Sequence, residues 1–406
     1  MYLWRQSKAL VRILQVCKKV PFPPKDGETI AIWHHTRTFA LASHEVTVAA
    51  LNTRKHYVNP NQLTEAAAQL AEIHTIDIDT RPRITTLLQS IALGSSPQVE
   101  RFYSSRFAAL LRQLVQQKDF DIIQLEGSYL LRYVPLLRPI SRGKIILRSH
   151  NIEHRIWEEL YVAEPSRWRR VLLRFIAKSL KSFEQKHLNV CDAVVAISEQ
   201  DAEVYRKMGC CLPLLVSEVG IMVPKQRPAL PVQPRLFFIG SLDWSPNLAG
   251  LLHFLKSIWP EIRRAAPTVR FHVAGRNFPD WLYSYQSDGI VMEGEVADAR
   301  AFMEQGSVLV VPIYAGSGIR VKIAEALALG RVVVSTSLGA QGLSGAESPV
   351  VVQQTDEGMA AAIIELFRNS QRLEELSMRS HAFAQMRLSD VVLAEQLLNF
   401  YKSLLS

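Results

Sequence analysis

The segment VPIYAGSGIRVKIAEALALG (311–330) sets an apolar, strand-like run against a glycine-bearing turn and then a helical pattern. Pro312 ends the run, the turn Ala315-Gly316-Ser317-Gly318 lets the backbone approach a ligand closely, and a helix opens near Ile319. Unpaired N–H groups at such a helix start form an anion site suited to a diphosphate. Arg320 and Lys322 add positive charge in the first turn, where the helix dipole ordinarily favours acids. That inversion suits a bound anion. Glu325 falls away from the face shared by Ile319, Ile323, Leu327 and Gly330. Two readings of it stand. Either it is an exposed i,i+3 partner of Lys322, contributing a few tenths of a kcal/mol, or its carboxylate accepts both hydroxyls of a ribose through charged hydrogen bonds of roughly 1.5–3 kcal/mol each.

Other candidate groups stand where apolar runs end. GSLDWSPN (240–247) begins with Gly240 and Ser241, AGRN (274–277) places Arg276 at a strand end, and EGEVAD (293–298) is a short polar loop around Val296. Together with the 316–320 turn these form one rim of an expected cleft. In the first half, LRSHNIEHRIWEEL (147–160) puts His150, Asn151 and Glu153 at the mouth of a strand. The turn PPKDGE (23–28) brings Gly27 to the same edge, and LEGSYL (125–130) offers Glu126 there. Ligands of open α/β sheets bind beyond the carboxyl ends of the strands. His150 is therefore a candidate for touching a reacting group.

The elements that position these groups alternate. Strand-length runs at RILQVC, HEVTVAAL, DIIQLE (121–126), KIILRSH (144–150) and DAVVAIS (192–198) are separated by helical patterns, the first of them from about Thr29 to Ser43. After the proline-bearing stretch VPKQRPALPVQP (223–234) the alternation restarts at RLFFIGS (235–241), VRFHVAG (269–275), SVLVVPI (307–313) and RVVVSTS (331–337). Strands alternating with helices imply parallel sheets covered on both faces. The expected architecture is α/β, with two Rossmann-like doubly wound domains over 1–222 and 235–387 facing across a cleft. A final helix over 388–406 would return toward the first domain.

Composition agrees. The chain has 406 residues, 48% hydrophobic and 21% charged, a globular mixture that excludes disordered and disulfide-stapled classes. No stretch reaches the ~18 consecutive apolar residues of a spanning helix. The N-terminus, MYLWRQSKALVRILQVCKK, does not read as a secretory signal, and a cytoplasmic protein is expected. Cys17, Cys191, Cys210 and Cys211 lack metal-ligand spacing and read as reduced thiols. The net charge of +9 is unevenly spread: residues 1–230 hold 32 Lys/Arg against 21 Asp/Glu, the remainder 15 against 17. Its densest segment, PSRWRRVLLRFIAKSLKSFEQKHL (165–188), sets seven basic residues against Glu184. It reads either as a solvated helix face or as a basic amphipathic helix for an anionic membrane surface, placing the protein peripherally at the inner face of the plasma membrane. No nucleic-acid-binding motif accompanies the charge.

The order PFPPKDG, LRSHNIEH, FIGSLDWSPN, HVAGRN, GEV, GSGIRVKIAEALALG and VVVSTSLGAQGL resembles bacterial glycosyltransferases of the GT-B fold, family 4 type, of the group that builds surface polysaccharides. The resemblance implies transfer of a sugar from a nucleotide diphospho-sugar to a glycan or lipid-linked acceptor, with retention of anomeric configuration, no cofactor and no metal. It implies that Glu325, as the second acid of an E-x7-E pattern, holds the donor ribose. Ser317, Gly318 and Ile319 then match the helix start over the diphosphate, His150 the histidine contacting the donor sugar, and Arg276 and Val296 the nucleotide lining. Catalysis would fall to His150, Arg320 and Lys322, the acceptor side to Gly27, Glu126, Asn151 and Glu153.

The chain departs from that pattern in three places. Ser317 stands where the first acid of E-x7-E belongs, GSLDWSPN lacks the Arg and Lys often found after the first strand of this domain, and Glu28 replaces the second glycine of the amino-terminal turn. Arg320 and Lys322 are placed to supply the missing charge. A nucleotide-sugar epimerase or a phosphorylase shares the two-domain architecture, and fold alone does not separate them. A donor-binding partner subunit without catalysis is the other alternative. A periplasmic two-lobed binding protein is disfavoured by the absence of a signal sequence.

Overall fold

Runs such as Ile145–Leu147 and Val308–Val311 are apolar at consecutive positions, which only a sheet covered on both faces buries. The computed structural model describes all residues except 1–9, 25–26, 60–62, 64, 82, 93, 219, 288, 316–319 and 406. It contains two such sheets, every strand pair parallel. The first comprises β1 (Arg12–Cys17), β2 (Glu45–Thr53), β3 (Glu72–Ile78), β4 (Ile122–Glu126), β5 (Lys144–Ser149), β6 (Ala193–Ala196) and β7 (Leu214–Val216), in the order β3-β2-β1-β4-β5-β6-β7. The second comprises β8 (Leu236–Ile239), β9 (Phe271–Ala274), β10 (Ile290–Gly294), β11 (Val308–Val311), β12 (Val332–Ser335) and β13 (Val351–Val352), in the order β10-β9-β8-β11-β12-β13.

The expected class, α/β with two doubly wound parallel sheets, is what the chain forms. Each sheet reverses its winding once, between β1 and β4 and between β8 and β11. Loops leaving those strands diverge and open a crevice at the carboxyl edge. Four strands escaped the sequence reading: β3, β7, β10 and β13. The first helix runs Gly27–Leu41, two residues earlier than its apolar pattern suggested, and Glu293 and Gly294, read as loop, close β10.

The chain divides into two compact units, Met1–Glu218 with Leu393–Ser406, and Val219–Val392. In the first, Phe107, Leu111, Leu180 and Phe183 cover one sheet face. Ile32 and Phe39 of the helix Gly27–Leu41 cover the other, together with Ala394, Leu397, Leu398 and Tyr401 of the helix Asp390–Leu405. In the second unit, Leu251, Ile363 and Leu366 cover one face, and Ile323 and Leu327 of the helix Val321–Ala328 the other.

Helix starts are fixed locally. Ser104 Oγ accepts from Phe107 N at 3.3 Å and Thr355 Oγ1 from Gly358 N at 3.0 Å, satisfying donors that the first turn leaves over. Arg331, fully buried before β12, donates to the carbonyls of Leu329, Gly306 and Ala229 at 2.8, 3.0 and 3.1 Å. A single guanidinium thereby fastens the proline-bearing stretch to the second sheet. Among the described residues all four cysteines are free, and no helix is long and apolar enough to cross a membrane.

Candidate active site

In the second unit the charged groups gather where β8 and β11 part. Arg320 is the residue that starts the helix Val321–Ala328; it is buried, and its guanidinium lies 4.9 Å from the Trp244 ring centroid. Lys322, in the same first turn, reaches back to the end of β8, donating to Ile239 O at 3.0 Å and Asn247 Oδ1 at 2.9 Å, with its ammonium 4.5 Å from the Phe238 ring centroid. Asn247 in turn donates from Nδ2 to Ser241 O at 2.9 Å, tying the loop after β8 to the lysine. Burial and the neighbouring Arg320 charge push the Lys322 ammonium down to about 7. Two cations are therefore held side by side at a site that lacks a compensating carboxylate partner for Lys322 among the described residues. Gly316, Ser317, Gly318 and Ile319, which the sequence reading placed in a turn over the diphosphate, lie outside the described residues.

Glycine is required at two points of this scaffold. A Cβ on Gly250 would stand 1.8 Å from Pro312 O, so only glycine lets the helix Ser245–His253 pass the end of β11. A Cβ on Gly240 would meet the Asn247 amide at 2.9 Å and displace the group that holds Lys322.

Glu325 is not the partner of Lys322. The lysine turns toward β8, and burial pushes the Glu325 carboxyl up to about 7, with Arg300 the cation that opposes this. The surface ion-pair reading is thereby corrected. Arg276, exposed after β9, donates from Nε to Ser241 Oγ at 3.3 Å, and Leu242 N donates to Arg276 O at 2.9 Å. Ser241, Arg276 and the β8 loop thus form one connected rim. Val296, beyond β10, packs half-buried against the core beneath the helix Val321–Ala328.

In the first unit, His150 follows β5 and its Nε2 lies 2.7 Å from Glu126 Oε2. The same carboxylate oxygen accepts from Arg148 Nη1 at 3.2 Å, and Oε1 accepts from Gln124 Nε2. Gln124 also accepts from the Tyr401 hydroxyl, so the network reaches the last helix. β1, β4 and β5 place Cys17, Glu126 and Arg148 in register, which puts them on one sheet face. Burial acts to raise the Glu126 pKa, but Arg148 and the hydrogen bond from His150 outweigh it and hold the carboxyl below its ordinary range. Glu126 is completely enclosed, so its assignment to the acceptor side is corrected: it orients His150.

Glu153 is likewise engaged. It opens the helix Glu153–Ala163, buried, with Oε1 2.9 Å from Lys18 Nζ. Lys18 also meets Glu28 at 3.5 Å, and Lys19 meets Glu28 at 3.1 Å. Burial tends to depress the Lys18 ammonium, but the two acids raise it above its usual value. This corrects a free acceptor role for Glu153 and gives the departure at Glu28 a reason: the acid closes an ion cluster at the β1 edge. Gly27 begins the helix Gly27–Leu41, and Asn151 accepts at its backbone oxygen from Ser149 Oγ at 2.8 Å.

Sequence reasoning missed Arg148, Lys18, Trp244, Asn247 and Glu184. The signal for Arg148 was present, an arginine inside an otherwise apolar strand. Glu184, on the helix Arg167–His187, accepts from the backbone N–H groups of Glu153 and His154, each at 3.2 Å, and so caps the helix behind His150. Among the described residues no cluster of three or more His, Cys, Asp or Glu is placed to hold a metal ion.

Residues 233–369 match the family model described as Glycosyl transferases group 1. A Klebsiella pneumoniae protein, described as an uncharacterized 44.6 kDa protein in the cps region, is 22% identical over 388 residues, covering 93% of this chain and 96% of that one. The crystal structure of Anabaena HepE in complex with UDP and glucose superposes with a TM-score of 0.63 at 14% identity, over 96% of this chain and 99% of the other. Sucrose-phosphate synthase from Thermosynechococcus elongatus does so with a TM-score of 0.67 at 16% identity, over 97% and 99%. The fold is GT-B.

Proposed function

We propose that this chain, a GT-B glycosyltransferase whose residues 233–369 form a group 1 domain, moves a sugar with retention from a nucleotide diphospho-sugar to a glycan or lipid-linked acceptor in polysaccharide biosynthesis. The observation that carries this reading is the Arg320–Lys322 pair, two adjacent cations at the switch point between β8 and β11. Breaking the anomeric carbon–oxygen bond leaves negative charge on the departing nucleotide diphosphate, and preorganised cations and N–H groups stabilise that charge as it develops. Residues 316–319 and Arg320 take the diphosphate, Lys322 supports it, Glu325 holds the ribose, and Gly240, Ser241, Arg276 and Val296 line the nucleotide. His150, held by Glu126, contacts the transferred sugar; Gly27 and Asn151 belong to the acceptor side. No metal is part of this proposal. Uracil is the base assigned to the donor, supported by HepE, whose crystals hold UDP and glucose.

The test is a thermal-shift series with UDP-, GDP-, ADP- and TDP-sugars, followed by transfer of labelled sugar to a lipid extract. A UDP-sugar at ~100 times its Kd raises stability by about 2.7 kcal/mol. Absence of a shift with every donor would remove the assignment. Ser317, in place of the first acid, favours a second reading, a donor-binding partner subunit; binding without turnover on any acceptor would select it. Conversion of the donor sugar without an acceptor would select an epimerase.

The pH dependence of donor binding follows from two groups of opposite sign. Lys322 titrates near 7 in the free protein, and a diphosphate beside it raises that value, so affinity falls as pH rises above about 7. Glu325 also titrates near 7, and ribose hydroxyls stabilise its charged form, so affinity falls as pH drops below about 7. Calorimetric titration of UDP-glucose is expected to give a maximum near neutrality. Glu325→Gln should abolish the acid limb and Lys322→Met the alkaline limb; a profile flat in the wild type contradicts both assignments.

A further inference from the structure

The helix Arg167–His187 has two apolar faces, and the protein's own core uses one. Ile176, Ala177, Leu180 and Phe183 are buried against the first unit. The other face is set by Trp168, Val171, Leu172 and Phe175, whose spacings of three, one and three put them on one stripe. That stripe is open: the four are 87, 67, 47 and 37% exposed. From Arg167 to Phe175 no residue is buried and only Leu173 is partly covered, so the first two turns stand clear of the core. The preceding helix, Glu153–Ala163, packs against this one and adds Leu160 and Val162, also exposed.

A second row runs beside the apolar stripe. Arg167, Arg170, Arg174, Lys178 and Lys181 recur at spacings of three, four, four and three, all exposed. Lys181 meets Glu158 at 3.8 Å, and Arg170 donates to Glu164 O at 2.9 Å. Among the described residues no carboxylate pairs with Arg167, Arg174 or Lys178. The helix's own acid, Glu184, is buried and occupied by the start of the neighbouring helix.

We infer that this helical hairpin lies flat on an anionic lipid bilayer, with Trp168, Val171, Leu172 and Phe175 entering the headgroup boundary and the basic row against lipid phosphates. An exposed apolar stripe bearing tryptophan, flanked by arginine and lysine, matches the charge and polarity of that boundary. The row's unpaired positive charge is what a neutral protein surface would leave without counterpart. The inference does not depend on the donor assignment.

The experiment is flotation of the full chain with vesicles of phosphatidylcholine alone and of phosphatidylcholine with phosphatidylglycerol. Binding to the anionic vesicles is expected, weakening with added salt. Arg174→Gln with Lys178→Gln should lower the partition about thirty-fold, about five-fold per charge. Trp168→Ser should lower it with the melting temperature unchanged, because the residue is 87% exposed. Equal binding to neutral vesicles, no binding to either, or undiminished binding by both variants overturns the inference. A concentration-dependent dimer in sedimentation that Trp168→Ser abolishes also overturns it, reassigning the face to a second copy of the chain.

Discussion

Arg320→Ala is expected to lower kcat by ~10²–10³ while leaving the Kd of free UDP within a few-fold of wild type. The guanidinium is held at the first turn of its helix by burial and by the Trp244 ring, so its position is set before any ligand arrives. Charge on the diphosphate grows as the anomeric bond breaks, and a preorganised cation gains most at that moment. Removing it should therefore appear in turnover more than in ground-state binding. Single-turnover rates and nucleotide titrations on the same preparation separate the two. Equal losses in kcat and in UDP affinity would reduce Arg320 to a binding residue.

Glu126→Ala is expected to destabilise the first unit by about 3–5 kcal/mol, because it strands the fully enclosed Arg148 without its counter-charge. Nε and Nη2 of Arg148 already lack hydrogen-bond partners among the described residues, so the guanidinium has little to fall back on. The urea midpoint measures this. Glu126→Gln keeps the shape and removes the charge, and should fall between. Since the folded state holds the Glu126 carboxyl below its ordinary range, its stabilisation is present above the unfolded pKa near 4.3 and is lost as pH falls through the depressed folded value. The gap between wild type and Glu126→Gln should narrow in acid. A gap that widens there would show that Arg148 is compensated by some other group.

Much of this fold was legible because parallel strands buried on both faces are written as unbroken apolar runs. RILQVC coincides with β1, and DIIQLE, KIILRSH and SVLVVPI each overlap a strand to within a residue or three at their ends. The missed strands carry a weaker signal for physical reasons. β3, EIHTIDI, lies at a sheet edge with partly exposed side chains and alternates polar residues through its length; β7 and β13 are three and two residues long.

The site divided along the same line. The charge inversion at Arg320 and Lys322 could be read from adjacency alone. The acceptor of Lys322, Asn247, is 75 residues away, and no local pattern connects them. Glu126 and Glu153 were placed correctly at strand and helix ends yet given the wrong partners. Whether a carboxylate faces solvent or an enclosed cation is decided by packing across β1, β4 and β5.

The helix Asp390–Leu405 leaves the second unit and closes the sheet of the first, its Tyr401 hydroxyl reaching Gln124. The first unit is thus discontinuous along the polypeptide, with the second inserted whole within it. On the ribosome the order of completion is then reversed: the stretch 219–392 is made before residues 393–405, whereas the earlier-synthesised sheet waits, one face covered only in part by Ile32 and Phe39, for the arrival of that segment.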